Sequence, residues 1–373
     1  MSQVVYITLE QSPHTRIEDC LKSQCNWIHP HLIESVDPVK GRQLRASEHI
    51  PKGTCVLIDR PYAIIPVVDD PATNDDLVCS NPACNRRSPR HPGRFSCPDS
   101  CIADVTWCTS ACRDTDKARH DFECTWLKRY ADPIRKKWGE YEFGMSWVIV
   151  RLLASRHAES KREPRDDRNA TTARRWKRGW NGIESLCGSV DTWPHEQIRS
   201  WTILVKKYLQ NSPVLPHGLS ADRVLHLICQ EEANSFGLYP RETGIFPPPQ
   251  PPVDRGEQFA AAVYPTAAMA NHSCIPNVSK TLSLLHCDPN TDRHQMTHKP
   301  DEDGRMIFTA SRDIRPGQEC CISYFDLTKY TDLASRREYL GKSFKFTCQC
   351  DRCMSEEPIE AGNDWVSMPM MDI

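Results

Sequence analysis

Eight candidate metal donors follow one another in a short stretch of this 373-residue chain: Cys79, Cys84, Cys97, Cys101, Cys108, Cys112, His120 and Cys124. Thiolate and imidazole are the donors zinc prefers in closed four-coordinate sites, so eight ligands serve two structural ions and leave no position for a reactive water. On a helix, residues four apart share a face, so Cys108 with Cys112, and His120 with Cys124, can each grip one ion. Three further cysteines, Cys348, Cys350 and Cys353, form a second tight group. Ten of the nineteen cysteines thus sit at ligand-like spacing, which favours zinc over disulfides in a reducing compartment. The remaining nine read mostly as small buried residues.

A zinc module raises the question of DNA. Residues 79–124 carry seven Lys or Arg against six Asp or Glu, too even a balance for a strong phosphate-binding face. The whole chain, at a formal net charge of −2, offers no global attraction to nucleic acid or to an anionic membrane. Residues 156–178 are the exception, with nine Lys or Arg and four Asp or Glu. They read as a solvated basic loop with at most nonspecific nucleic-acid affinity, and RRWKR at residues 174–178 as a nuclear-import candidate. The N-terminus lacks the basic and apolar halves of a signal peptide and no apolar run reaches about 18 residues, so the expectation is a soluble protein of cytoplasm and/or nucleus with no membrane partner.

The elements that must position these groups are readable in outline. Residues 39–66 alternate short apolar runs with Gly and Pro, which predicts a strand, a turn and further strands. Trp126, Tyr130, Ile134, Trp138 and Tyr141 recur at three and four residues and predict a helical stretch over residues 126–153. Helical periodicity returns over residues 201–209 and 223–233. The proline-rich residues 246–256 can form neither a regular helix nor a central strand, and predict a surface connection.

Five segments carry a resemblance: KGRQLRA at residues 40–46, EEANSFGLYP at 231–240, NHSCIPN at 271–277, GQECCISYFD at 317–326 and FTCQCDRC at 346–353. Together with the cysteine and histidine cluster, their order resembles the SET and MYND (SMYD-type) protein-lysine methyltransferase family, in which a SET region is split by a MYND zinc finger. The resemblance implies an α+β fold: short SET β-sheets with a threaded knot-like active site, a helical insertion, a small MYND module and a post-SET zinc site. It divides the chain into an extension at 1–35, a first SET part at 36–78, the finger at 79–124, the helical insertion at 125–245, the core SET region at 246–342, and the post-SET segment and tail at 343–373.

The implied activity is transfer of a methyl group from S-adenosylmethionine to a lysine of a histone or non-histone protein. By resemblance, Lys40, Gly41 and Arg42 form the cofactor turn, Asn271 and His272 bind cofactor polar groups, Asn234 lines the cofactor pocket, and Phe346 stacks on adenine. Tyr324 matches the catalytic tyrosine and is expected to orient groups at both cofactor and lysine, since an ordinary phenol titrates at about 10 and is a weak base. Phe236 matches a wall of the lysine channel. Resemblance also pairs Cys79, Cys84, Cys108 and Cys112 on one zinc, Cys97, Cys101, His120 and Cys124 on a second, and Cys274, Cys348, Cys350 and Cys353 on a third.

Three departures stand out. Gln43 replaces a glycine common in the turn, which predicts hindered backbone approach. Phe344 stands where relatives often carry a second active-site tyrosine. Only twenty residues follow Cys353, so a C-terminal helical repeat domain over the substrate cleft is not expected. The rival reading is a catalytically weak adaptor whose finger binds a proline-containing partner.

Overall fold

The computed structural model describes residues 26–67, 76–84, 87–89, 95–161, 179–210, 212, 219–282 and 305–357. Most of the basic loop, the RRWKR segment, part of the insert between Cys84 and Cys97, most of the N-terminal extension and the tail after residue 357 lie outside the described residues.

Five strands precede the finger: β1 (Trp27–Ile28), β2 (Leu32–Asp37), β3 (Gly41–Ala46), β4 (Cys55–Asp59) and β5 (Ala63–Pro66). Residues 39–66 hold β3, a turn at residues 51–54 and then β4 and β5, as expected, and a further tight turn joins β2 to β3. Asp37 closes it by accepting from the backbone N–H of Val39 at 2.9 Å and of Lys40 at 3.0 Å, and Gly41 completes it at φ +75°, where a side chain would be strained. The finger contributes β6 (Asp76–Val78), β7 (Arg87–Pro89), β8 (Phe95–Ser96) and β9 (Thr106–Trp107), which pair as two hairpins.

Downstream lie β10 (Ser235–Leu238), β11 (Ala260–Val263), β12 (Asn271–His272), β13 (Val278–Leu282), β14 (Met306–Ala310) and β15 (Cys321–Ile322). A four-stranded sheet runs β1-β4-β14-β13 and a three-stranded one β10-β11-β5. Every residue of β4 and β5 is buried, which accounts for the apolar runs at residues 55–58 and 63–66. The pair that matters for the site is β12 with β15. They run parallel, Asn271 opposite Cys321 and His272 opposite Ile322, and so bring residues fifty apart in sequence side by side.

The helices are α1 (Ser110–Trp138), α2 (Glu140–Ser160), α3 (Gly179–Glu184), α4 (His195–Leu204), α5 (Ala221–Asn234), α6 (Leu333–Phe344) and α7 (Asp351–Ser355), with a π-helical turn at Val205–Leu209 continuing α4. The single helix expected over residues 126–153 is two helices. Gly139, at φ +102°, ends α1 and opens α2, a conformation that breaks the helical hydrogen-bond ladder although the apolar spacing continues across it. The first of the two also starts earlier than its aromatic spacing indicates, at a Thr109 cap whose side chain accepts from Cys112 N at 3.0 Å.

Helix α2 is buried from Met145 to Ala154 and packs against α1, α5 and β5. It is the hub of the larger core. A buried polar network crosses this core: Glu123 on α1 accepts from Arg119 Nη1 at 3.0 Å, Arg151 Nε at 3.1 Å and Trp147 Nε1 at 3.1 Å. Arg119 also donates to Ser80 O at 3.0 Å, and Arg151 to Ile64 O. The finger, α1, α2 and β5 are thereby held by one set of charge-assisted hydrogen bonds. Among the described residues no helix is long and apolar enough to cross a membrane.

Candidate functional site

The metal groups assemble as the resemblance paired them. In each of the three quartets, Cys79/Cys84/Cys108/Cys112, Cys97/Cys101/His120/Cys124 and Cys274/Cys348/Cys350/Cys353, the ligand atoms all lie within 4.8 Å of one another. Tetrahedral zinc at about 2.3 Å from sulfur requires sulfurs about 3.8 Å apart. Cys84 and Cys108 stand 3.5 Å apart, Cys97 and Cys124 3.5 Å, Cys274 and Cys348 3.9 Å, all far beyond a disulfide bond. His120 completes its quartet through Nε2, 3.2 Å from Cys97 Sγ, while Nδ1 faces Glu123 Oε1 at 3.3 Å. That carboxylate keeps the proton on Nδ1 and leaves Nε2 free for metal. Each quartet can hold one zinc ion with no ligand to spare.

The third quartet reaches directly into the candidate active site. Two residues separate Asn271 from Cys274, and Phe346 precedes Cys348 by two. His272 is buried between them: its Nδ1 accepts from Tyr324 N at 3.1 Å, and its Nε2 stands 3.3 Å from Cys274 Sγ. Burial pushes its pKa down to about 3, so the ring is neutral, with Nε2 carrying the proton toward sulfur. The ring is therefore engaged between a metal ligand and the Tyr324 backbone, and it does not line either cavity of the site.

Glu319, which the sequence reading passed over inside GQECCISYFD, gathers the predicted cofactor turn. It accepts from Lys40 Nζ at 2.6 Å and from Asn271 Nδ2 at 2.8 Å, and Asn271 Nδ2 also donates to Arg42 O at 3.2 Å. Gln43 is not in the turn at all. It lies within β3, almost fully buried, with its amide nitrogen 3.0 Å from Glu319 and its oxygen toward Arg45. The hindrance expected of it is absent because its side chain faces away from the cavity. Asn277 was also missed: its Nδ2 donates to Glu319 O and its Oδ1 accepts from Cys321 N, both at 2.8 Å, fastening the two segments.

Two cavities meet at Tyr324. The smaller, about 220 Å³, is lined by Lys40, Arg42, Asn271 and Phe346; the larger, about 860 Å³, is lined by Phe236, Glu231 and Glu232 among others. Asn234, Tyr324, Phe344 and Lys345 line both. Asn234 is held there by donating to Cys187 O at 2.6 Å and to Gln230 O at 2.7 Å. Phe344 ends α6, and Lys345 follows at φ +62°, a left-handed conformation that costs a non-glycine residue about 1 kcal/mol. That turn lets both Phe344 and Phe346 face Tyr324, with ring centroids 5.0 and 6.4 Å away. Phe236 packs edge-on against Tyr264 at 5.6 Å.

The Tyr324 hydroxyl donates to Ala270 O at 3.0 Å, and burial pushes its pKa well above the ordinary phenol value. It stays protonated at neutral pH. Arg42, which lines the smaller cavity, donates to Ser185 Oγ at 3.1 Å and stands 3.7 Å from Glu34, yet its Nε is buried without a partner. Such an orphaned donor suits an anionic group of a ligand, and Lys40, paired with Glu319, stands beside it. The smaller cavity thus has cations, an amide and an aromatic face; the larger is an aromatic-walled channel to the same tyrosine.

Comparison with known proteins follows this geometry. The SET-domain family model matches residues 41–325. A potential protein lysine methyltransferase of Saccharomyces cerevisiae, SET6, is 30% identical over 37% of this chain and 30% of its own length. The human N-lysine methyltransferase SMYD2 is 22% identical over 87% of this chain and 60% of its own length. A SET and MYND domain-containing protein of Dictyostelium discoideum is 24% identical over 86% and 59%, respectively. The chain therefore spans between 30% and 60% of the length of these curated relatives. A solved SET domain of LSMT aligns with 85% of this chain and 53% of its own at 10% identity and a TM-score of 0.36, too loose to carry an argument.

Proposed function

The chain belongs to the SET-domain family, and from that premise we propose that it is a protein-lysine N-methyltransferase using S-adenosylmethionine. The observation that carries the reading is the meeting of two cavities at one protonated tyrosine. A donor and an acceptor entering from opposite sides are brought together there, and alignment of that kind accounts for much of a transfer rate.

When bound, S-adenosylmethionine supplies a methyl group on a positively charged sulfur, open to in-line attack by a neutral amine. Arg42 and Lys40 would hold its carboxylate, Asn271 and Asn234 its polar groups, and Phe346 would offer its face to adenine. The Gly41 turn and the Glu319 hydrogen bonds keep Lys40, Arg42 and Asn271 in place. His272 acts one step back, holding the Tyr324 backbone beside Cys274, which would hold zinc.

Phe236 and Phe344 would wall the aliphatic stem of the substrate lysine and attract its cationic end. The Tyr324 hydroxyl donates its hydrogen bond to Ala270 O and keeps its oxygen free to accept from the lysine nitrogen, which orients that nitrogen. The lysine proton leaves to solvent before attack. A histone or another lysine-bearing protein of the cytoplasm or nucleus would be the substrate, and the finger would serve as structural support or as a docking module for a proline-containing partner.

The test is incubation of zinc-replete protein with S-adenosylmethionine labelled on the methyl group and a pool of lysine-bearing proteins, core histones included. The expected product is acid-stable methyl-lysine, lost with Tyr324→Phe. Bound cofactor without methyl-lysine in any protein would overturn the reading.

A further inference from the structure

The larger cavity holds two carboxyl groups that methyl transfer does not require. Glu231 and Glu232 lie in the last turn of α5 and face this cavity beside Tyr141. Glu231 is only 5% exposed, and its Oε2 is buried with no hydrogen-bond partner. Glu232 accepts from the Tyr141 hydroxyl at 2.5 Å. Ser235 gives Glu231 a side-chain hydrogen bond, but the charges acting on the pair are all negative, each other's and that of Glu142; Arg241, Arg255, Lys280, Lys342 and Lys345 line the same cavity without being among them, and among the described residues neither carboxylate is in an ion pair. The other acids on this wall are matched: Glu140 pairs with Arg135 at 3.0 Å and Glu242 faces Lys280 at 3.7 Å.

Two adjacent carboxylates without a cation, one of them buried, weaken the fold unless something else compensates them. Burial, and then Glu232, pushes Glu231 well above the carboxylate range. A cationic side chain arriving in the cavity would meet acceptors already stripped of water and held by a helix, a geometry that favours binding of opposite charge.

Resting on the lysine-transfer reading, we propose that Glu231 and Glu232 recognise a second cationic residue of the substrate, carried one or two positions from the target lysine. The spacing follows from the helix. Glu231 precedes Asn234, which lines both cavities, by three residues, or about 4.5 Å along the axis. An extended peptide advances about 3.3 Å per residue, so a neighbour one or two places from the lysine spans that distance. The preferred substrate class is a basic segment with paired Lys or Arg.

The test measures binding and transfer separately on short lysine-centred peptides in which each flanking position in turn is Arg, Ala or Glu. Binding is followed by fluorescence anisotropy with S-adenosylhomocysteine present. The expected result is binding roughly tenfold tighter for Arg than for Ala at one position within two of the lysine, reduced to about twofold or less in Glu231→Gln or Glu232→Gln. Both variants keep the shape of the side chain and leave cofactor affinity unchanged, which checks folding. No preference for Arg at any position, or a preference that survives both substitutions, overturns the proposal. Charge-dependent binding without transfer would sustain it while removing the methyltransferase reading; transfer indifferent to flanking charge would do the reverse.

Discussion

Tyr324 would concentrate the proposed chemistry because three kinds of contact fix it: His272 holds its backbone, Ala270 O accepts its hydroxyl hydrogen bond, and Phe344 and Phe346 pack on its ring. Removing the hydroxyl in Tyr324→Phe should lower single-turnover transfer by about 10²-fold, the scale of losing one preorganised polar contact, while cofactor affinity changes little. A smaller fall than about threefold would deny the hydroxyl a role. Burial raises the phenol, so it remains protonated through the pH range in which lysine, at about 10.4, loses its proton. The transfer rate should therefore climb about tenfold per pH unit toward that value with no decline near pH 10 from phenol ionisation. A bell-shaped profile falling at that point would show Tyr324 ionising and contradict the assignment. At this scale motif resemblance named Lys40, Arg42, Asn234, Asn271, Tyr324, Phe344 and Phe346 of the smaller cavity and Phe236 of the larger. It overlooked Glu319 and Asn277, whose work is to bridge segments distant in sequence, and it misjudged Gln43, since the direction of a side chain depends on strand register that a motif does not carry.

Between elements, the third metal quartet does the positioning. Cys274 follows β12, while Cys348, Cys350 and Cys353 follow α6, so one ion would clamp both walls of the smaller cavity. Cys350→Ala should lose one of three zinc equivalents by elemental analysis and weaken S-adenosylmethionine binding with it. Unchanged cofactor affinity after that loss would sever the two. The junction at Gly139 gives a second check. Its φ of +102° should make Gly139→Ala destabilising by about 1–2 kcal/mol in denaturant melts, although an added Cβ meets nothing closer than Glu142 Oε2 at 3.5 Å. This break was hidden in the sequence because the aromatic spacing runs on across it. The strands and turn within residues 39–66 and the extent of α5 were readable, since Gly, Pro and apolar periodicity act locally there, whereas the start of α4 at His195 lay six residues ahead of the periodic stretch. The parallel pairing of β12 with β15 was not legible in the sequence, because no local rule specifies a partner fifty residues away.

At the scale of the whole molecule, finger and catalytic core are joined by buried charge. Glu123 on the finger's helix binds Arg151 of α2, which in turn reaches the β5 backbone. Arg151→Met would leave Glu123 buried with one cation fewer and should cost about 3–5 kcal/mol of unfolding free energy by denaturant titration; a loss under about 1 kcal/mol would show the finger to be loosely attached. Such a network is invisible in sequence, where Glu123 and Arg151 are two charges among many in an ordinary composition. The account of the molecule as a methyltransferase depends on the smaller cavity binding its cofactor, and calorimetric titration of S-adenosylmethionine into zinc-replete protein tests that most directly, with Asn271→Ala beside it. The account predicts one site per chain, at least about tenfold weaker when Asn271 no longer ties Glu319 to the Arg42 backbone. No binding in a folded protein holding its zinc, or binding indifferent to Asn271, would contradict it.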